Sequence, residues 1–300
     1  MSAGFFVDQV IARSTGVSYP AINASELVAI PVPVPPLPEQ IQIAAFLDRE
    51  TAKIDALVAE QRRLMELLKE KRQAVISHAV TRGLNPEVPM KPSGIEWLGD
   101  VPVHWEVRKA RWLCEIKKRI AGDVGHEVLS ITQKGIRIRD LESNDGQISM
   151  DYSKYQFVEI GDFAMNHMDL LTGYVDIAKV RGVTSPDYRV FSIRNPAICH
   201  DKYLLYVFQM GYRNRIFYAY GQGSSQLGRW RMPTEQFYEL GLPLPPAAEQ
   251  AEIAQFLDSE TRKFDALTFS AQCAVDLLRE RRNALISAAV TGKIDLRHMT

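Results

Sequence analysis

Three hundred residues, 46% of them hydrophobic and 24% charged, can bury one large core or two ordinary ones, and no low-complexity tract interrupts them. Thirty-six basic and 36 acidic side chains cancel to a net charge of zero, which argues against a free-standing, indiscriminate nucleic-acid binder. No apolar run could span a bilayer, the start Met1–Asp8 lacks the regions of a signal peptide, and Cys114, Cys199 and Cys273 are far apart, reading as free thiols in a reducing cytoplasm.

The first 36 residues are too few to fold as a domain. Their second half, Asn23 to Pro36, parallels Pro233 to Pro246 at a constant offset of 210. They therefore read as the tail of a domain whose body is absent.

From Glu39 the parallel becomes a repeat. Glu39-Gln40-Ile41-Gln42-Ile43-Ala44-Ala45-Phe46-Leu47-Asp48 returns as Glu249-Gln250-Ala251-Glu252-Ile253-Ala254-Gln255-Phe256-Leu257-Asp258, and the match runs ungapped to Val80-Thr81 and Val290-Thr291. About half of the paired positions are identical, which points to two-fold pseudo-symmetry within one polypeptide. In the first copy Ile43, Leu47, Ile54, Leu57, Leu64, Leu68, Val75 and Ala79 recur at helical spacing, and no Gly or Pro interrupts either copy. At about 1.5 Å per residue, some 43 residues give roughly 65 Å of helix. An apolar stripe of that length demands a partner helix, and the nearest is the other copy. Pro35-Pro36-Leu37-Pro38 and Pro243-Leu244-Pro245-Pro246 are extended lead-ins, Glu39 and Glu249 suit the helix dipole, and Gly83 and Gly292 can end the helices.

Gly83 to Gly94 is rich in Pro and Gly and reads as a linker, with Trp97 and Trp105 anchoring the chain to the core of the next domain. Short apolar runs then alternate with turns. Residues 127–132, 174–180 and 188–193 read as strands, and Tyr203-Leu204-Leu205-Tyr206-Val207-Phe208-Gln209-Met210 opens a helix extending to Tyr218. The fold class expected is α+β: one globular domain flanked by two long helices paired as an antiparallel coiled coil. The divisions are 1–36, remnant; 37–83, first long helix; 84–105, linker and lead-in; 106–246, globular domain; 247–292, second long helix; and 293–300, tail.

Charge is unevenly spread. Arg108 to Arg139 holds nine Lys/Arg against three Asp/Glu, a balance of 9 − 3 = +6, and Gly211 to Arg231 holds four Arg and no acid. Phosphates are contacted by Lys and Arg, and base edges by these and by Asn, Gln, Ser and Thr on exposed elements. Three stretches qualify: 132–139, with Lys134, Arg137 and Arg139; 166–173 together with 183–189, with Asn166 and His167; and 221–231, with Gln222, Ser224, Ser225, Gln226, Arg229 and Arg231. A lone Arg or Lys is more often a solvated surface charge, Asn166 and His167 could equally form a buried hydrogen-bonding pair, and Tyr218 and Tyr220 more often line a core than stack on bases. As a set the stretches outweigh their members.

Three segments carry a resemblance to a known family: Pro-Pro-Leu-Pro-Glu-Gln at 35–40, the helix end Ile76-Ser77-His78-Ala79-Val80-Thr81-Arg82-Gly83-Leu84-Asn85, and Ser93-Gly94-Ile95-Glu96-Trp97-Leu98-Gly99-Asp100-Val101-Pro102-Val103-His104-Trp105. Together with the repeat they make the chain resemble the specificity subunit of type I restriction-modification systems, lacking most of its first target recognition domain. The resemblance implies two recognition domains alternating with two paired helices, each domain reading half of a bipartite double-stranded DNA site. It further implies partners: methyltransferase subunits docked on the helices and, through them, motor-nuclease subunits. S-adenosylmethionine, ATP and Mg belong on those partners, with no cofactor in this chain. The 166–173 and 183–189 segments resemble a recurrent pair in such domains. With one complete recognition domain, a bipartite site would need a second copy or another specificity fragment.

An enzyme in its own right is the competing class. The sequence has no Gly-x-x-x-x-Gly-Lys-Ser/Thr loop and no Asn-Pro-Pro-Tyr-type tetrapeptide, and its six histidines make no metal constellation. A third class is a scaffold or decoy that binds methyltransferase subunits without selecting DNA.

Overall fold

The computed structural model describes residues 4–16, 20–32, 34–139, 152–223 and 230–295. The chain divides into two compact units, one within 1–70 and 262–300 and the other 71–261, and each division falls inside a long helix.

The first unit holds α1 (Gly4–Arg13), α2 (Ala24–Val28) and parts of the two long helices, α3 (Leu37–Arg82) and α7 (Ala247–Val290). Pro36 ends the extended lead-in, and its carbonyl accepts the Glu39 and Gln40 amides at 2.9 and 3.1 Å, starting α3. Within this unit the helices run antiparallel: Leu47 is buried with Ile286 and Ala289, and eight residues along α3 from Leu47 the Asp55 carboxylate accepts from Arg282 Nε at 3.1 Å. Along α3 here Leu47, Thr51, Ile54, Val58, Gln61, Met65 and Leu68 form a covered row in alternating steps of four and three, the seam of a coiled coil. Phe264, Ala271, Val275, Leu278, Arg282, Ile286 and Ala289 are their counterparts on α7.

The second unit is α+β, so the fold class expected from the sequence holds. Its main sheet is antiparallel in the order β4 (Cys114–Lys117), β11 (Arg189–Ile193), β8 (Phe163–Met165), β9 (Val175–Ile177). Two-stranded pairs surround it: β1 (Met90–Pro92) with β2 (Asp100–Pro102), β3 (Glu106–Lys109) with β12 (Gly241–Leu244), β5 (Leu129–Thr132) with β6 (Gly135–Ile138), and β7 (Gln156–Val158) with β10 (Gly182–Thr184). A single turn, α4 (Ala110–Leu113), joins β3 to β4 and buries Ala110 and Leu113. Alternation brings Phe163 and Phe191 into a stack at 4.9 Å, and α5 (Asp201–Arg213) and α6 (Thr234–Glu239) add Phe208 and Phe237. The helix expected to reach Tyr218 stops at Arg213. Arg215 takes a left-handed conformation (φ +56°), and a 3-10 turn spans Ile216–Tyr220.

Glu249 and Gln250, expected to serve helix formation, do more. The Glu249 carboxylate accepts from the Trp105 indole at 3.0 Å and pairs with the His104 ring at 2.7 Å, with Gly83 (φ +78°) close by. Gln250 is fully buried; its amide donates to the Ile198 and Pro245 carbonyls and accepts from the His200 amide at 2.7 Å. Among the described residues the repeat-related Gln40 makes only the local bond, to the Pro35 carbonyl at 2.8 Å.

Candidate nucleic-acid interface

The three basic or polar stretches meet through hydrogen bonds that tie each to the next. The β5–β6 hairpin turns on Gln133-Lys134, and a side chain at Gly135 (φ +97°) would collide with the Asp176 carboxylate, which accepts the Ile136 amide at 3.1 Å. Gln133 at the tip donates to the Thr172 carbonyl at 3.3 Å, so the hairpin leans on the 166–173 turn. Lys134 and Arg137 are exposed, and Arg139 is half-buried.

The 166–173 turn is built by its own polar groups. The Asn166 side chain accepts the Met168 amide at 3.3 Å, and its carbonyl accepts the Tyr212 hydroxyl at 2.6 Å. Asp169 accepts the Leu171 and Thr172 amides at 2.9 and 3.0 Å and also the Thr172 hydroxyl. Gly173 closes the turn where any Cβ would strike the Asp169 and Asn166 carbonyl oxygens. The Asn166 side-chain oxygen thus serves the turn rather than a pairing with His167.

The third stretch runs beside the second. Gln222 and Arg231 exchange backbone hydrogen bonds at 2.8 and 3.1 Å, the Met232 amide donates to the His167 carbonyl at 2.9 Å, and the Leu170 amide donates to the Trp230 carbonyl at 3.2 Å. Trp230 stacks on Tyr218 at 5.1 Å and donates to its carbonyl, so Tyr218 is occupied within the fold. Lys134, Asn166, His167, Gln222 and Arg231 therefore stand on connected segments, with Arg137 and Arg139 further along β6 and just past it. Ser224, Ser225, Gln226 and Arg229 lie outside the described residues.

The sequence placed Arg189 at the end of the 183–189 segment without singling it out as a site residue. Arg189 is 4% exposed, its guanidinium lies 4.7 Å over the Phe237 ring, and Nη2 donates to the Met232 carbonyl at 2.9 Å. Burial lowers its pKa to about 10, and burial, with Arg189 and Arg231 nearby, pushes His167 down to about 3, leaving that ring neutral at physiological pH. The one available signal was a charge set inside the strand run 188–193, whose neighbours are aromatic and apolar. Among the described residues no group of His, Cys, Asp and Glu could hold a metal ion, and no helix is long and apolar enough to cross a membrane.

The family model for the type I restriction modification DNA specificity domain matches residues 5–65 and 102–269. The chain is similar to the type I restriction enzyme MjaVIII specificity subunit of Methanocaldococcus jannaschii, at 21% identity over 96% of this chain and 67% of that one. It is also similar to the type I restriction enzyme EcoBI specificity subunit of Escherichia coli, at 21% identity over 96% of this chain and 64% of that one. The fold resembles a chain solved in work on complex assembly and conformational transition of the type I R-M system, with TM-score 0.69 and 16% identity over 97% of this chain and 69% of that one. The chain thus spans about two thirds of the length of these relatives.

Proposed function

The chain belongs to the type I restriction modification DNA specificity family, and from that premise we propose that it is a non-catalytic recognition and assembly subunit. In this reading the domain at 106–246 reads one half-site of duplex DNA, and the paired helices dock methyltransferase subunits. The observation that carries it is the junction of the β5–β6 tip, the 166–173 turn and the Gln222–Arg231 bridge, which gathers polar and basic candidates from three distant stretches onto hydrogen-bonded neighbours. Residues on a rigid turn can hold a register against a groove, whereas the same residues scattered over a surface could not. The test is methylation by the chain assembled with its methyltransferase partner, sequenced over random DNA. Arg137→Ala and Arg231→Ala are each expected to lower selectivity or affinity about tenfold or more. Unchanged selectivity in both would remove the interface, and methyl transfer by the lone chain would overturn the non-catalytic assignment.

Docking on the helices rests on a separate pattern. Leu57 and Leu267 occupy equivalent repeat positions and are 50% and 53% exposed; Leu67 and Leu277 are likewise equivalent and stand at 52% and 65%. All four lie in the first unit, off the seam, and the nine positions between Leu57 and Leu67 all differ from their counterparts. Two exposed leucines kept in both copies across otherwise divergent sequence fit a surface used twice, by two like partners. Leu57→Asp with Leu277→Asp is expected to weaken methyltransferase-subunit binding at least about tenfold in calorimetry, with unfolding unchanged. Undiminished affinity would refute the assignment.

A further inference from the structure

We infer that the cavity walled by Arg189 is an anion site that takes one phosphodiester of the DNA backbone, an inference that rests on the DNA-reading role proposed above. The cavity has a volume of about 520 Å³ and is lined in part by His167, Arg189, Gln222, Arg231, Met232 and Thr234. Its wall contains a charge that no carboxylate among the described residues neutralises. Arg189 is buried, and Nη2 has the Met232 carbonyl, but Nη1 has no hydrogen-bond partner among the described residues. Among those residues no carboxylate lies within ion-pairing distance of it; Glu235 acts on it only through space. The neighbouring His167 Nδ1 is equally buried and unpartnered among them. A buried guanidinium is normally offset by a carboxylate, because one carbonyl and an aromatic face do not balance its lost hydration. Among the described residues nothing supplies that offset, so the site is open to an anion from outside.

The shape of the site selects the anion. Base edges lie within grooves and are reached by side chains that protrude, which a residue 4% exposed cannot do. Phosphates stand out from the duplex, so a recessed donor suits them. Arg231 and Gln222 at the rim carry the proposed interface directly into this cavity, and Arg231 adds a second positive charge within reach of His167. An anchored phosphate would fix the register in which the 166–173 turn meets the bases.

Two arms of one experiment on the full chain separate DNA from free phosphate. The first measures thermal stabilisation by inorganic phosphate against chloride at equal ionic strength; the second measures duplex binding across salt concentrations. Arg189→Gln removes the charge and keeps a polar, shorter side chain. Thr234→Glu leaves Arg189 intact and sets a carboxylate at the exposed mouth, so the site can be tested even if the first variant unfolds. Both are expected to abolish the phosphate-specific shift and to lower the slope of log K against log salt by about 0.9, one phosphate's worth, while Arg189→Lys retains part of each. Full slope and full phosphate shift in both variants overturn the inference while leaving the DNA-reading role standing. An Arg189-dependent phosphate shift in a chain that binds no duplex would keep the anion site, assign it to free phosphate, and overturn the DNA-reading role with the phosphodiester.

Discussion

Trp105→Ala is expected to destabilise the full chain by about 3–5 kcal/mol, read from the urea midpoint at unchanged slope. The side chain is fully buried in the core that also holds Ile76, Ala79 and Val80 of α3 and Ile253 and Leu257 of α7. Truncation would leave a void among them and take from Glu249 the indole donor at 3.0 Å, leaving His104 as its remaining partner. Trp105→Phe separates the two losses: it fills most of the volume and forfeits the hydrogen bond, so about 1–2 kcal/mol is expected. A cost below about 1 kcal/mol for the alanine variant would show that the tie between Trp105 and Glu249 does not hold this core together.

The second large effect is on pH. His167 is held near 3 in the folded chain, against 6.5 for an ordinary histidine, by burial and by Arg189 and Arg231. Between those values the unfolded chain binds a proton that the folded chain refuses. Stability is therefore highest above pH 6.5 and falls as the pH drops, by about 1.4 kcal/mol per unit at most. From pH 7 to pH 5 the expected loss is about 2 kcal/mol, and His167→Gln should lack it. The window is set by the histidine, since the depressed carboxyls Glu50, Glu115, Asp169 and Glu239 release their contribution only below about their ordinary range near 4. Equal pH dependence in wild type and variant would mean that the ring is hydrated or protonated in the folded state.

The long helices and their pairing were legible because a repeat with an apolar period is a global signal, insensitive to any one residue. The strands were legible in kind and less so at their ends: the run 127–132 contains β5 at Leu129–Thr132, and 174–180 contains β9 at Val175–Ile177. The break after Arg213 was not legible, since Tyr212 to Tyr218 carries no Gly or Pro; the left-handed Arg215 turns the chain so that Phe217 lies against Gly211. Within the candidate interface, residue type located Lys134, Arg137 and Arg231 but said nothing of depth. Arg189, at the end of the 183–189 segment, was not singled out because a charge in sequence reads as surface, and only the fold reveals that it is enclosed. Glu249 and Gln250 were read through the helix they begin, whereas their partners, Trp105 and the 198–200 segment, lie about 50 to 145 residues away.

The alternation of fours and threes along the α3 seam makes the length of this helix pair a discrete variable. Inserting seven residues into both helices would advance each by about 10.5 Å and return the stripe to within about 20° of its original facing. One extra residue would swing it by about 100°, bringing charged side chains toward Ile286 and Ala289 and sending Leu47 and Ile54 into water. Growth or shrinkage of the pair is thus quantised, and variants that differ by whole heptads are the ones that can keep both the seam and the repeated leucines facing as they do.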